Sequence, residues 1–358
     1  MDDPSATSPQ GAGSPEFSIQ DFRPQGSIQG PMSSRPLRIV LPGGSGQVGQ
    51  VLARHFQERG HHVTVLTRGP YTAPWQTVHW DGKHTGPWTE YLEGADVCIN
   101  LAGRGVNCRY DAANRQAIHD SRIGTTRLLG SVIAGLAEPP RVWLNASTAT
   151  IYRHAIDRDM DEATGELGGN ELISKRRRAP ETWNFSVGVA KDWEAAFFEV
   201  RTPRTRKVAL RSAITLSPTP GSAFAVLSRL VWLSLGGKQG NGRQFVSWIH
   251  EADFARAVEF LIAREDLDGP VNVAAPNPLP NREFMAALRE AWEMPNGFPA
   301  PALAIAIGAF FLRTESELVL KSRRVVPGRL LEAGFEFEFP EWPEAAEDLV
   351  RQWRHRND

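Results

Sequence analysis

The stretch that decides the fold is Leu37-Arg-Ile-Val-Leu-Pro-Gly43-Gly44-Ser45-Gly46-Gln47-Val48-Gly49. A short apolar run leads into a glycine-rich turn, and the residues from Gln47 onward have the pattern of a helix. Glycines 43, 46 and 49 give the spacing G-x-x-G-x-x-G, which allows a tight turn and lets a pyrophosphate approach bare amide N–H groups. The stretch therefore predicts a dinucleotide-binding turn at the positive end of a helix. The alternative is a tight turn that packs a helix on a strand and binds nothing.

The rest of the N-terminal half alternates predicted strands with helical segments. Such alternation is typical of a parallel sheet built from crossover units. We therefore predict an α/β fold: a Rossmann-type, doubly wound parallel sheet with a small C-terminal α/β lobe. The first domain is expected at 35–220, with contributions from about 236–265, and the lobe mainly at 221–358. After the first strand, the predicted strands cover 62–68, 76–80, 95–101, 142–146 and 208–211, and a long helix covers 112–136.

Composition excludes several classes of protein. The 358 residues carry a net charge of −1, so no overall field attracts nucleic acid or an anionic membrane. The longest apolar run, 302–312, is shorter than the roughly 20 residues of a membrane span, and no signal peptide is recognised. Two cysteines and no spaced His/Glu cluster argue against a metal site. We expect a cytoplasmic protein that acts on a small molecule as a monomer or homodimer, with 1–34 as a disordered tag or tail.

The end of the second predicted strand indicates which cofactor is bound. An acidic residue there would accept hydrogen bonds from the ribose 2′-hydroxyl of NAD, but this strand ends in Thr67-Arg68. The planar guanidinium of arginine suits a phosphate, so we predict NADP(H) rather than NAD(H). A solvated charge at a strand end is the alternative. Trp80-Asp81, after the third strand, is expected at the adenine, although Asp81 is also a typical turn residue beside Gly82.

Two further strand ends carry candidate site residues, because ligands of open parallel sheets bind beyond the carboxyl ends of the strands. Asn100-Leu101-Ala102-Gly103 has small residues that let the backbone approach the cofactor's diphosphate and ribose. After the fifth strand, Ser147 is expected to donate a hydrogen bond to a substrate oxygen, and Tyr152 to act as an acid or to orient the substrate. Ordinary turn capping by hydroxyl residues and aromatic packing by Tyr152 are the alternatives.

A local basic run, Lys175-Arg-Arg-Arg178, stands apart from these motifs. Such a run is usually a solvated face, and contact with an anionic substrate or partner is the alternative.

Together these motifs resemble the short-chain dehydrogenase/reductase superfamily, in particular its extended, nucleotide-sugar-epimerase-like branch, which includes an atypical family sometimes labelled cell-division-inhibitor-like. The matching segments include the glycine turn, Asn100-Leu-Ala-Gly103, Ser121-Arg-Ile-Gly-Thr-Thr126, Ala146-Ser147 with Tyr152, and Asp192-Trp-Glu194. The resemblance covers about residues 36–345 and adds Arg122 and Ala146 to the expected cofactor contacts. The complete expected set is Gly43, Gly44, Ser45, Gly46, Gln47, Val48, Gly49, Thr67, Arg68, Trp80, Asp81, Leu101, Ala102, Gly103, Arg122 and Ala146.

The resemblance fails at the superfamily's usual catalytic pair, Tyr-x-x-x-Lys on a helix. No Tyr-x-x-x-Lys occurs in this chain. If Glu194 marks the usual helix register, Ser186 and Ala190 occupy the positions of the pair, and Lys191 is one residue away, turned by about 100° around the helix. Two functions stay open: an NADP(H)-dependent oxidoreductase or epimerase that uses Ser147 and Tyr152, and a non-catalytic NADP(H)-binding redox sensor or scaffold.

Overall fold

A parallel sheet of seven strands forms the centre of the molecule. The computed structural model describes residues 35–169, 171–174, 177–301 and 317–357. Its strands are β1 (Arg38–Pro42), β2 (His62–Thr67), β3 (Gln76–His79), β4 (Val97–Asn100), β5 (Val142–Thr148), β8 (Arg206–Ser212) and β12 (Gly269–Val273). They lie side by side in the order β12-β8-β5-β4-β1-β2-β3, so the chain adds β2 and β3 on one side of β1 and then crosses back to place β4 on the other side. This topology confirms the predicted Rossmann-type fold, and the switch point between β1 and β4 lies beside the glycine turn.

Helices cover both faces of the sheet, because the strand residues that point to each face are apolar and must be buried. On one face, α1 (Gln47–Glu58) and α5 (Glu251–Ala263) pack on residues such as Leu144. On the other face, α2 (Ala112–Gly135) and α3 (Glu181–Glu199) pack on Trp143, which meets Phe197 edge to face at 4.6 Å. Neighbouring residues of β5 thus enter different cores, as the two-residue period of a strand requires.

The seventh strand, β12, was not among the predicted strands. Its five residues, Gly-Pro-Val-Asn-Val, begin with two residues that are typical of turns, so the local pattern is weak. The strand forms because Val271 and Val273 are buried beside β8, where a parallel partner satisfies their backbone groups. It lies beyond the 236–265 segment that was expected to join the Rossmann domain.

Most of the remaining elements form a smaller cluster at the carboxyl end of the chain. Its core is aromatic: the rings of Phe284 and Trp342 stack at 4.1 Å with an interplanar angle of 7°, and Trp248 lies 5.1 Å from Trp342. Its strands are β9 (Ile214–Leu216), β10 (Phe245–Val246), β11 (Trp248–His250) and β13 (Leu279–Pro280), and its helices are α4 (Ala223–Trp232), α6 (Asn281–Ala291) and α9 (Trp342–Asn357). Two short helices lie outside this core: α7 (Glu317–Leu320), and α8 (Gly328–Glu332), whose Leu330 is buried in the core of the main sheet. A short hairpin of β6 (Leu172–Ser174) and β7 (Arg177–Arg178) precedes α3.

Three sequence predictions fall wholly or partly outside the described residues. These are the N-terminal tail 1–34, the Lys175 and Arg176 portion of the basic run, and the apolar run 302–312. In the part of the chain that the structure covers, no helix combines the length and the apolar character that a bilayer crossing requires.

Candidate functional site

The glycine turn is packed so tightly that Gly43, Gly44 and Gly49 leave no room for a side chain. Gly43 has φ 75°, and a Cβ there would lie 2.7 Å from the Ala102 Cα, so the turn touches the segment after β4. A Cβ on Gly49 would overlap the Gly44 carbonyl oxygen. These contacts hold the backbone of the turn, the start of α1 and the end of β4 together at the switch point of the sheet.

The amino end of α1 is open to an anion. Gly46 is its N-cap residue, no side chain caps the helix, and its first turn contains no acidic residue. The first amide N–H groups of a helix have no partner within the helix, and the dipole favours negative charge there. The Ser45 hydroxyl accepts a hydrogen bond from Thr67 Oγ1 at 3.0 Å, which ties the turn to the end of β2. The Gln47 side-chain amide donates to Thr219 Oγ1 at 3.1 Å.

Arg68 lies at the end of β2, where the sequence predicts contact with a 2′-phosphate. Its side chain is exposed, and it lines a surface cavity of about 380 Å³ together with Thr67, Gly69 and His79. Arg68 directly follows Thr67, whose hydroxyl donates to Ser45 of the glycine turn.

The side chains of Trp80 and Asp81 make contacts within the protein, and their expected contact with an adenine stays a prediction. The Trp80 side chain is buried in the core, where its ring meets Trp88 edge to face at 5.4 Å. The Asp81 carboxylate accepts hydrogen bonds from the backbone N–H groups of Lys83 (2.8 Å) and His84 (2.9 Å). The turn role that the sequence offered as the alternative therefore describes Asp81, and aromatic packing accounts for Trp80.

The 101–103 segment and Arg122 meet beside the turn. A Cβ on Gly103 would lie 3.3 Å from the Arg122 Cζ, so the glycine lets the guanidinium approach the backbone. That guanidinium donates to the Ile118 carbonyl oxygen at 3.1 Å and lies 5.2 Å from the Trp193 ring centroid. Within the described residues, no carboxylate forms an ion pair with it. Burial lowers the pKa of Arg122 to about 10, which is still far enough above neutral pH for the guanidinium to stay charged.

A cavity of about 350 Å³ opens at the carboxyl ends of β4, β5 and β8. Val48, in the first turn of α1, is part of its lining, so the cavity continues from the glycine turn. Leu101, Arg122, Ala146 and Ser147 line it as well. Its wall is mainly apolar with a few polar groups, which is the usual composition of a small-molecule site.

Ser147 lines this cavity, and its hydroxyl group forms part of a buried hydrogen-bond network. Its Oγ donates to Glu194 Oε1 at 2.6 Å. Arg211 donates two hydrogen bonds to the same carboxylate, from Nε to Oε1 (2.9 Å) and from Nη2 to Oε2 (2.8 Å). Glu194 is on α3 and Arg211 is on β8, so the network joins three elements of the fold.

Tyr152 lies in this network rather than in the cavity. Its side chain is 1% exposed, and it is absent from the cavity lining. The hydroxyl accepts from Arg211 Nη1 and donates to Asn272 Oδ1, both at 2.9 Å. Burial raises the pKa of Tyr152, which opposes release of its proton. This geometry does not support the expected acid role and favours the packing alternative.

The helix register inferred from Glu194 agrees with the cavity wall. Ser186 and Ala190 both line the cavity at the positions of the missing pair. Lys191 is exposed on another side of α3 and donates from Nζ to the Gly168 carbonyl oxygen at 2.6 Å. No lysine therefore replaces the absent one from this helix.

Several polar groups at the cavity were not predicted from the sequence. The Tyr110 hydroxyl lies 3.4 Å from the Ser186 Oγ, and Ser186 donates to Glu317 Oε2 at 2.5 Å. Arg323, which donates from Nε to Thr150 Oγ1 at 3.1 Å, lines the same region. The sequence offers one local indication of the buried polar network: Arg211 is a charged residue near the end of an otherwise buried strand. The other groups converge only through the tertiary fold.

Two family models and several known proteins match this chain. The model of the NAD dependent epimerase/dehydratase family matches residues 39–172, and a domain of unknown function (DUF1731) matches 298–349. The bovine (Bos taurus) epimerase family protein SDR39U1 is 30% identical over 320 residues, covering 88% of this chain and 100% of the relative. The epimerase family protein SERP0438 of Staphylococcus epidermidis is 30% identical over 314 residues, covering 88% and 99%.

Solved structures extend the comparison to the fold. The crystal structure of human epimerase family protein SDR39U1 (isoform 2) with NADPH superposes with a TM-score of 0.75 at 27% identity, covering 88% of this chain and 99% of that one. The UDP-N-acetylglucosamine 4-epimerase of Bacillus cereus has the same fold, with a TM-score of 0.65 at 16% identity and coverage of 89% and 99%. On the extent of these matches, the chain belongs to the NAD-dependent epimerase/dehydratase family, within the short-chain dehydrogenase/reductase superfamily.

Proposed function

We propose that this protein binds NADP(H) and is an oxidoreductase or epimerase acting on a small sugar-like or carbonyl substrate. The observation that carries the proposal is the continuity of two features. The uncapped amino end of α1 provides an anion site, and Val48 of the same helical turn lines the 350 Å³ cavity. A dinucleotide with its diphosphate on the helix would direct its nicotinamide end into that cavity.

The residues around the turn fit such a cofactor. The glycines leave the backbone bare, and the packing of Gly43 on Ala102 leaves no room for a side chain between turn and strand. Arg122 supplies a cation without a carboxylate partner in the described part of the chain. When bound, the nicotinamide would supply hydride transfer. The human relative crystallised with NADPH supports this choice of cofactor.

Arg68 is the proposed selector of NADP(H) over NAD(H). The test is a fluorescence titration of wild type and Arg68→Ala with NADPH and with NADH. A lost charge-assisted hydrogen bond costs about 1.5–3 kcal/mol, so NADPH affinity is expected to fall about 10- to 100-fold while NADH affinity changes less than about twofold. Arg127→Ala is the control, since that side chain is 60% exposed on α2. Equal losses for the two cofactors would remove the 2′-phosphate assignment.

The chemical step is assigned to hydroxyl groups that reach the cavity. Ser147 lines it and is the proposed substrate contact. Tyr110 also lines it, next to Ser186 at the position of the missing tyrosine, and is the better placed proton donor. Tyr152 supports Ser147 through Arg211 and Glu194 instead of touching substrate.

A specific observation favours the second candidate, a non-catalytic NADP(H)-binding redox sensor or scaffold. Ser186 and Ala190 occupy the positions of the catalytic pair, and Lys191 bonds to the Gly168 carbonyl oxygen away from the cavity. Two readouts separate these functions. An oxidoreductase consumes NADPH, seen as a loss of absorbance at 340 nm, with at least one member of a panel of small aldehydes, ketones and sugars; an epimerase returns the hydride to its substrate, so it is detected by NMR as a change in sugar configuration in the presence of NADP⁺. Tight NADPH binding with neither NADPH consumption nor a change in configuration across the panel would favour the sensor.

A further inference from the structure

The 380 Å³ cavity beyond the ends of β2 and β3 has the composition of an anion site. Arg68 and His79 contribute nitrogen donors to its lining, and Thr67, Tyr71 and Thr77 contribute side chains with hydroxyl groups. No carboxylate is part of this lining among the residues that the structure describes. Guanidinium, imidazole and hydroxyl groups all donate hydrogen bonds to phosphate oxygens. The cavity therefore suits a ligand that carries negative charge.

The pairing of the strands places His79 close to Arg68. β2 and β3 are parallel, and the Cα partner of His79 is Thr67. Neighbouring strands are about 4.8 Å apart, so these two residues lie side by side, and Arg68 is one step further along the chain. Two adjacent strand ends thus bring together an arginine and a histidine that are 11 residues apart in the sequence.

The side chain of His79 lies on the face of the sheet that carries the glycine turn. Val78 packs in the opposite core, with Leu66, so its neighbour His79 points to the other face. Thr67 is on this same face, since Val65, two residues earlier, is buried in the core that includes α1. The Thr67 hydroxyl donates to Ser45 of the glycine turn at 3.0 Å. The shared face connects the turn, Thr67 and His79 in one continuous row.

The side chains of Arg68 and His79 are both open to a ligand. Each is exposed, and neither forms a hydrogen bond or an ion pair with another group in the described part of the chain. Asp81, the first acidic residue after β3, is engaged elsewhere, because its carboxylate accepts from the backbone N–H groups of Lys83 and His84. The donors of the cavity are therefore not used up by the protein itself.

We propose that His79 is a second ligand of the NADP(H) 2′-phosphate, beside Arg68, and that the choice of cofactor is shared between the ends of β2 and β3. The ribose of a dinucleotide whose diphosphate lies on the glycine turn reaches the end of β2, where the cavity opens. The guanidinium and the imidazole then donate to different oxygens of one phosphate. NAD(H) has a hydroxyl group in place of this phosphate and gains little from either side chain. This inference deepens the proposed function and rests on it.

The test measures the binding of NADPH and of NADH to the full chain by nicotinamide fluorescence, and its readout is the ratio of the NADH to the NADPH dissociation constant. His79→Ala is expected to lower this ratio about fivefold, the effect of one exposed hydrogen bond to a charged group. His84→Ala is the matched control, because His84 is a nearby histidine that is bonded to Asp81 and is not part of the cavity lining. Its ratio is expected within about twofold of wild type.

The possible results for His79→Ala separate the proposal from its alternatives. An unchanged ratio with unchanged affinities would show that His79 is a solvated side chain and would overturn the proposal. An equal loss of affinity for both cofactors would also overturn it, since the ring would then contact the adenosine part that NADPH and NADH share. The double variant Arg68→Ala/His79→Ala is expected to bind the two cofactors within about twofold of each other. A preference for NADPH that survives in the double variant would mean that other groups hold the phosphate.

A second readout observes the phosphate directly. In the ³¹P NMR spectrum of bound NADP⁺, the resonance of the 2′-phosphate is separate from those of the diphosphate. His79→Ala is expected to shift the first and to leave the others in place. A 2′-phosphate resonance identical to that of the wild-type complex would contradict the contact.

Failure of the proposed function has a different signature. Wild type would then bind neither NADPH nor NADH, or would bind both equally well. If His79 alone is assigned wrongly, wild type still prefers NADPH and Arg68→Ala still lowers that preference, whereas His79→Ala behaves as wild type.

Discussion

Tyr152→Phe separates a catalytic from a structural tyrosine. The substitution removes only the hydroxyl, which accepts from Arg211 Nη1 and donates to Asn272 Oδ1 at 2.9 Å each. Both partners are buried, so the phenylalanine leaves a charged donor and an amide acceptor without a partner inside the protein. Arg211 keeps its two bonds to Glu194 and its position over the ring, 5.1 Å from the centroid.

The expected loss of stability follows from these contacts. An unsatisfied buried polar group costs about 1–3 kcal/mol, and more when it is charged, so the free energy of unfolding is expected to fall by about 2–4 kcal/mol. Tyr91→Phe is the control. Its hydroxyl is at a partly exposed position and accepts a long 3.4 Å bond from Gln76, so the expected change is below about 0.5 kcal/mol. The assay is urea unfolding followed by circular dichroism.

The affinity of Tyr152→Phe for NADPH is the second quantity to measure. Because Tyr152 does not line the cavity, the NADPH dissociation constant of the folded variant is expected within about threefold of wild type. A Tyr152→Phe protein as stable as wild type would refute the argument from buried partners. Full stability combined with lost NADPH consumption would return Tyr152 to the chemical step.

Two further predictions concern the glycine turn and a buried lysine. The free energy of unfolding of Gly46→Ala is expected to stay within about 0.5 kcal/mol of wild type, because φ is −71° and the nearest atom to an added Cβ is Gly43 O at 3.6 Å. The same variant is expected to bind NADPH at least about tenfold more weakly, because the added methyl group blocks the approach of the diphosphate. Gly49→Ala should instead destabilise the fold by about 1–3 kcal/mol in urea unfolding, since its Cβ overlaps the Gly44 carbonyl; equal behaviour of the two variants would contradict this distinction. Burial lowers the pKa of Lys321 from 10.5 to about 8, so the unfolded chain binds more protons between these values and stability should rise with pH there, by up to about 3 kcal/mol. Lys321→Met should flatten that rise in unfolding measurements at pH 8 to 10, and a slope equal to that of wild type would exclude Lys321 as its source.

Much of the fold could be predicted because its signals are local. The apolar run before Gly43, the turn and the start of α1 at Gln47 all lie within 13 residues, and each has a conformational cause in its own side chains. Asp111 caps α2 by accepting from the Asn114 N–H, and that helix ends within one residue of the predicted boundary. By contrast, β12 has little local signal and forms because β8 offers an apolar edge.

The site residues divide in the same way. Arg68 and the 101–103 segment lie at strand ends, and a strand end in a parallel sheet has a predictable position. The sequence cannot show that Trp80 is buried against Trp88, because Trp88 belongs to a later segment. Tyr152 has the right spacing after β5, but its ring turns toward Arg211, 59 residues further along the chain.

The sequence by itself determined the class of fold, the glycine turn and the absence of the Tyr-x-x-x-Lys pair, since each depends on residue types at short spacing. The tertiary structure alone decided which hydroxyl groups reach the cavity and in which direction they form hydrogen bonds. Ser147 and Glu194 are 47 residues apart, and Arg211, which pairs with the same carboxylate, is 17 residues beyond Glu194 on another element. The physical reason is that an isolated hydroxyl group can either donate or accept a hydrogen bond, and only the fixed donors and acceptors packed around it decide between the two.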